Sequence, residues 1–595
     1  MKIPLCAGFA VLLGACSERA PDRSATPDSG PEATAAEPGL AIHPAAADRR
    51  FDAAIHDIVL REDPVVDGWD SERFTEVALA QLKKVGEILG GQSATSDGVL
   101  AAGFSAAPVR PGDLELVFHD ASVEVKRPRP NVSDSVSSRL PSPIVDGLAD
   151  IRTKFKIVRV DLDGQEASTT AYFQMSGTQP DSRTIQINAT WHCQWMADDP
   201  PLLAAIEVAD YEEVVSSAGF VDCTGAAIAG AGHLTEQFAH GRDHWYGSME
   251  VTLGIDGRGN GIAIGDANGD GLEDIYLCQP AALPNRLLLR APDGSLSDAS
   301  AAAGVDWLDS TRAALLIDID NDGDQDLVLS MGTHLVLHEN DGTGHFRVRL
   351  TIPSSSTLFS ISAVDYDGDG HLDLYACGYS AAARSRPEDI FASPMPYHDA
   401  NNGGPNMLLR NEGNWEFTDV TREVGLDTNN LRFSLAAAWE DFDNDGDPDL
   451  YVANDFGRNN LYRNDGGTFT DIAAEAGLED IGPGMSVSWG DANNDGHPDL
   501  YVSNMFSSAG SRITRQKQFK PGADPADIAG FQRHARGNSL FINRGDGTFD
   551  DRSTESGTSM GRWAWGSLFV DLNNDGHRDL YVTNGFVTAD NKDDL

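Results

Sequence analysis

Positive charge is scarce in this chain of 595 residues: 44 Lys and Arg stand against 92 Asp and Glu, a formal charge of −48. That balance argues against nucleic-acid partners, because binding a phosphate backbone needs Lys and Arg to neutralise it. Cysteine is scarce too, six in all and none in Cys-x-x-Cys spacing, which removes the common zinc and dithiol motifs. There is no His-Glu-x-x-His and no phosphate-binding loop. "GTSMG" (Gly557 to Gly561) matches the Gly-x-Ser-x-Gly elbow, but it precedes an inner strand instead of leading from a strand into a helix. No catalytic residues are assigned. Long apolar runs are missing as well, and the one in "MKIPLCAGFAVLLGAC" is too short to span a bilayer.

What is abundant is one nine-residue phrase, Asp-x-(Asp/Asn)-x-Asp-Gly-x-x-Asp, present six times. It supplies Asp266, Asn268, Asp270 and Asp274; Asp318, Asp320, Asp322 and Asp326; and Asp365, Asp367, Asp369 and Asp373. The later copies supply Asp441, Asp443, Asp445 and Asp449; Asp491, Asn493, Asp495 and Asp499; and Asp571, Asn573, Asp575 and Asp579. Oxygens at positions 1, 3, 5 and 9, with a backbone carbonyl at 7, suit a hard cation, and calcium takes six to eight such ligands. Gly at position 6 fits a sharp turn. An EF-hand would need Glu at position 12 between helices. Here position 12 is Leu, Ala or Val, and the flanks ("SVSWG", "LYVSN") are rich in strand formers. A metal-free acidic turn is the bland alternative. Six copies at one spacing favour about six structural calcium ions.

The loops resemble those of the FG-GAP or VCBS repeats found in integrin α-subunit β-propellers. The longer phrase "YVANDFGRNNLYRNDGGTFTDI" is similar to bacterial relatives of cartilage acidic protein. The likeness covers roughly residues 232 to 595, within a propeller domain placed at 226–595, and implies calcium at the positions just named. It also implies a mainly β fold, a propeller of four-stranded blades. Motif counting gives six blades, and the resemblance leans towards seven. The calcium loop would join the first strand to the second. "NRLLL", "NMLLRN" and "NLYRN" would be third strands, and "GTFTDI" a fourth. "SMEVTLGIDGRGNG" (residues 248–261) would close the ring. Trp439 and Trp489, each two residues ahead of a loop, read as packing between blades.

Residues 1–16 read as a lipoprotein signal peptide ending in a lipobox, "LGAC", with Cys16 as the lipidated residue. Ser17 points to the outer membrane, on its periplasmic or exterior side. Residues 17–47, rich in Ala, Pro, Ser, Asp and Glu, read as a disordered tether. Residues 48–225 form an α+β domain that weakly resembles the cone of nuclear transport factor. "DSERFTEVALAQLKKVGEIL" is its amphipathic helix, burying Phe74, Val77, Ala78, Leu82, Val85, Ile88 and Leu89. "TIQINATWHCQW" is a half-buried strand that leaves His192 on the polar face. A disulfide between Cys193 and Cys223 stays open as a reading.

These readings give a calcium-stabilised envelope lipoprotein that binds or scaffolds a protein or glycan ligand. The alternative is an enzyme whose site lies in the N-terminal domain, with the propeller recruiting substrate. The insertion at residues 505–537 carries Arg512, Arg515, Lys517, Lys520, Arg533 and Arg536. Arg512, Arg515 and Lys517 are its candidate contacts for an anionic glycan or acidic protein segment; the alternative is that these cations only pair with the acidic surface of the repeats.

Overall fold

The computed structural model describes residues 69–93, 95–129, 136–196, 198–217, 220–229, 232–239, 261–381 and 394–585. Cys16, the tether and residues 248–260 lie outside them. Among the described residues no helix is long and apolar enough to cross a membrane. The chain divides into two compact units. One comprises the chain to Ala218 together with Ser508–Phe519, and the other comprises the remainder.

Among the described residues, the first unit packs a long helix on a seven-stranded sheet and also includes the short helix Ser508–Ile513. The helix α1 runs from Asp70 to Leu89, the span its periodicity predicts. Its buried stripe differs from the expected one. Val77 is 37% exposed, whereas Gln81 and Gly86 are buried. Gln81 Nε2 donates to the carbonyls of Gly98 and Pro201, both at 2.8 Å. At Gly86 the helix lies so near the sheet that a Cβ would meet Thr153 Oγ1 at 2.3 Å. The strands are β1 (Leu100–Ala106), β2 (Leu114–His119), β3 (Val123–Pro128), β4 (Ala149–Asp163), β5 (Glu166–Thr178), β6 (Thr184–Met196) and β7 (Leu202–Ser216). Their order is β2-β3-β7-β6-β5-β4, with β1 paired parallel to β7. Strand β6 alternates as its sequence requires, burying Ile185, Ile187, Ala189, Trp191, Cys193 and Trp195. Phe173 and Trp191 pack at 4.5 Å within an apolar cluster, and the unit also buries Gln81, Thr169 and Glu213. His192 is exposed, with Nδ1 3.3 Å from Thr170 Oγ1. Cys193, Cys223, Cys278 and Cys377 are all free thiols, so Cys193 and Cys223 are not bonded.

The second unit is a run of repeated antiparallel sheets. Among the described residues, five have four strands in sequence order, and a final pair, Ala564–Val570 with Asp579–Asn584, follows them. Sheet 4 is typical: Ser434–Glu440, Asp449–Asn454, Asn460–Asn464 and Phe469–Asp471. Each acidic loop joins first strand to second, and the predicted third and fourth strands fall where expected. The first strands of successive sheets lie against one another, a β-propeller-like arrangement. Trp439 packs between sheets, edge-on to Tyr375 at 6.0 Å with Nε1 donating to Ser362 Oγ at 3.0 Å. Trp489 repeats this packing against Tyr451.

Candidate metal centre

Each acidic loop is built by its own first Asp. In sheet 4, Asp441 Oδ1 accepts from Asp445 N at 3.0 Å and Oδ2 from Gly446 N at 3.0 Å. The same pair recurs at Asp266, Asp318, Asp365, Asp491 and Asp571. The chain can turn this tightly because position 6 is left-handed, with φ of 82–99° at its six glycines. Position 4 is left-handed as well: Gly269, Asn321, Gly368, Asn444, Asn494 and Asn574 have φ of 58–73°. The sequence reading passed over position 4, although it is Gly or Asn in every copy.

The ninth residue is the buried hub. Asp274, Asp326, Asp373, Asp449 and Asp499 are at most 1% exposed. Asp449 Oδ1 accepts from Asn464 N at 2.8 Å, and Oδ2 from Phe442 N at 3.2 Å. Burial, aided by neighbouring carboxylates, pushes Asp326 and Asp373 up to about 7 and Asp449 to about 8. Partial desolvation and the adjacent carboxylates also raise Asp320, Asp367 and Asp443. Charge here lacks compensation, as a cation site requires.

Three loops bring carboxylates together. Oxygens of Asp318, Asp320 and Asp326, of Asp365, Asp367 and Asp373, and of Asp441, Asp443 and Asp449 lie within 4.8 Å of one another. Each triad is positions 1, 3 and 9, and could hold a metal ion. All donors are hard oxygens, which fits calcium. At position 5, Asp322, Asp369 and Asp445 each turn Oδ1 back to the N–H of position 7. The other three loops make the same position-5 bond and differ at position 3. Asn268, Asn493 and Asn573 donate Nδ2 to Asp270, Asp495 and Asp575 at 2.9–3.1 Å. There one amide already quiets one carboxylate, so the loops fall into two kinds.

In the cationic insertion three of the arginines are ion-paired, as the pairing alternative expects. Arg512 is 7% exposed and its Nε donates to Glu72 Oε1 at 3.0 Å. Its Nη1 donates to the Ile157 carbonyl at 2.6 Å, within the first unit. This corrects the picture of a free loop cation, because a guanidinium buried on a carboxylate is not presented to a ligand. Arg515 and Lys517 are exposed. Arg533 bonds to Asp480 at 2.9 Å and Arg536 to Asp551 at 2.8 Å. Lys520 Nζ lies 4.2 Å above the Phe531 ring.

Comparison with known proteins follows the loops. The FG-GAP-like repeat matches residues 318–376, 441–502 and 526–582. The chain carries FG-GAP-like repeats. No curated protein sequence matches. Among solved structures, the Vibrio cholerae biofilm matrix protein Bap1 is similar at 14% identity and TM-score 0.28 over 49% of this chain. This chain covers 38% of its length. A GH43_1 enzyme from Xanthomonas citri is similar at 13% identity and TM-score 0.24, over 49% of this chain and 89% of that one. Likenesses this distant carry no argument about activity.

Proposed function

We propose that the repeats form a calcium-stiffened β-propeller that binds or scaffolds a protein or glycan ligand, on a lipoprotein anchored through Cys16 at the outer membrane. The observation that carries the calcium part is the recurrence of one loop in which carboxylates at positions 1, 3 and 9 converge within 4.8 Å. The ion would be held by these residues, and when bound it supplies charge compensation that lets the buried carboxylate stay ionised. We assign six blades in a closed ring, with seven as the alternative, and residues 248–261 as the closing strand. The ligand would be met at the long connection between the second and third strands of sheet 5. Arg515, Lys517 and Lys520 are exposed cations in that connection.

Melting the full chain with calcium and then with excess chelator tests the reading. A site held at about 100-fold over its Kd stabilises the fold by about 2.7 kcal/mol, so chelation should lower the transition temperature markedly. Superimposable curves would overturn the calcium assignment.

A further inference from the structure

The residue closing the third strand of sheets 2 to 5 is Asn340, Asn411, Asn464 or Asn543, at most 4% exposed. No metal reading gives it a role. Two of the bonds each asparagine makes link one loop to the next. Its backbone N–H donates to the ninth-position carboxylate of its own loop, Asp326, Asp373, Asp449 or Asp499, at 2.8–2.9 Å. Its side-chain Nδ2 reaches the preceding sheet and donates to the position-2 carbonyl of that loop. The acceptors are Ala267, Ile319, Tyr366 and Phe442, at 2.8–3.0 Å. The same position-2 residue donates its N–H to its own ninth-position carboxylate, as Tyr366 does to Asp373 at 3.2 Å and Ile319 to Asp326 at 3.2 Å.

The bonds therefore join end to end. From Asp499 the path runs through Asn543 and Phe442 to Asp449, then through Asn464 and Tyr366 to Asp373. It continues through Asn411 and Ile319 to Asp326, and through Asn340 and Ala267 to Asp274. Five loops share one chain of buried hydrogen bonds. In sheet 1 the equivalent residue is Arg290, whose N–H donates to Asp274 at 2.8 Å, and the path ends there.

We infer that the asparagines form a relay that couples the loops, so that filling one raises calcium affinity in its neighbour. This rests on the calcium reading of the loops. An ion that draws the Asp449 carboxylate moves the acceptor of Asn464 N, and the same residue's amide sets the position of Tyr366, which braces Asp373. Chains of buried hydrogen bonds polarise one another and are strained together. The coupling has discrete members at which it can be cut, a stronger warrant than proximity alone.

Hydrogen exchange on the full chain across a calcium titration reads each loop separately. In the parent, residues 365–373 and 441–449 should gain protection over the same calcium range. Asp445→Ala, which damages loop 4, should raise the calcium midpoint for residues 365–373 by at least about fivefold, the low end of ordinary coupling. In the Asn464→Ala background the same Asp445→Ala change should leave that midpoint unmoved. Should Asn464→Ala fail to fold, the Asp445→Ala arm alone still decides. An unchanged midpoint for 365–373 in the parent background would overturn the relay while leaving calcium binding intact. If calcium protects no loop at all, the relay falls together with the calcium reading.

Discussion

At the scale of single residues, two side chains make sharp demands on conditions. His338 is fully buried, between Trp307 Nε1, which donates to its Nε2 at 3.0 Å, and the Leu327 carbonyl, 3.2 Å from Nδ1. An indole N–H only donates and a carbonyl only accepts, so the ring is neutral with its proton on Nδ1. Burial lowers its pKa from the ordinary 6.5. A group whose folded pKa is depressed contributes stability that is complete above the unfolded pKa and is lost as pH falls. In saturating calcium the parent's transition temperature should therefore drop more between pH 7.5 and 5.5 than that of His338→Gln. Parallel slopes would remove His338 from the account. The comparison is made between variants because the raised aspartates act in the opposite direction when metal is absent. Asp443→Asn tests the second demand, since three loops already carry Asn there. In chelator the variant should melt slightly above the parent, by no more than about 1 kcal/mol for so exposed a group. In calcium it should melt below. The two curve pairs must cross, and a variant below the parent in both conditions would mean Asp443 is structural.

At the scale of elements, strand order and loop placement were legible in the sequence, because period-2 alternation and a repeated turn phrase state both directly. The span of α1 was legible too, but its rotation was not. Hydropathy assigns Val77 inward, whereas the contact that seats the helix is made by Gly86, a residue recognisable only by what lies opposite it. The relay asparagines were missed for a related reason. Each stands in plain view at a strand end ("LRN", "YRN", "FIN"), yet its acceptor lies in the preceding sheet, a partner no local pattern names. Repetition also exposes an omission in the protein itself. Trp439 finds Ser362 three residues before the sheet 3 loop, but the equivalent residue one sheet later is Ala438, and Trp489 Nε1 is buried with no hydrogen-bond partner. Ala438→Ser should supply that acceptor and raise stability by about 1 kcal/mol, read by denaturant unfolding. A destabilised variant would show that the column has no room for a hydroxyl.

At the scale of the whole molecule, sequence proximity and structural membership part company. All six acidic loops belong to the second unit, while the first has an apolar core of its own. Residues 508–519 lie between the second and third strands of sheet 5, yet they group with the first unit. Arg512 is bonded to Glu72 and to the Ile157 carbonyl, and Gln516 Nε2 donates to the Val160 carbonyl at 2.8 Å. A reading by net charge took this segment for a ligand loop because burial of a guanidinium leaves no mark in composition. Local stability follows the cooperative unit and not the chain neighbour. Removing calcium should thus lower hydrogen-exchange protection in strands Asp499–Asn504 and Ser539–Asn543, on either side of the segment. Protection of residues 508–516 should persist, in step with β4 and β5. Arg512→Ala should reverse the pattern, loosening 508–516 and β4 in calcium while the two sheet 5 strands hold. A buried ion pair broken on one side leaves Glu72 without its partner, a loss of about 3–5 kcal/mol where desolvation is complete and less at the partial exposure of Glu72. If chelator instead opens 508–516 together with sheet 5, the segment belongs energetically to the repeats, and its bonds to the first unit contribute little.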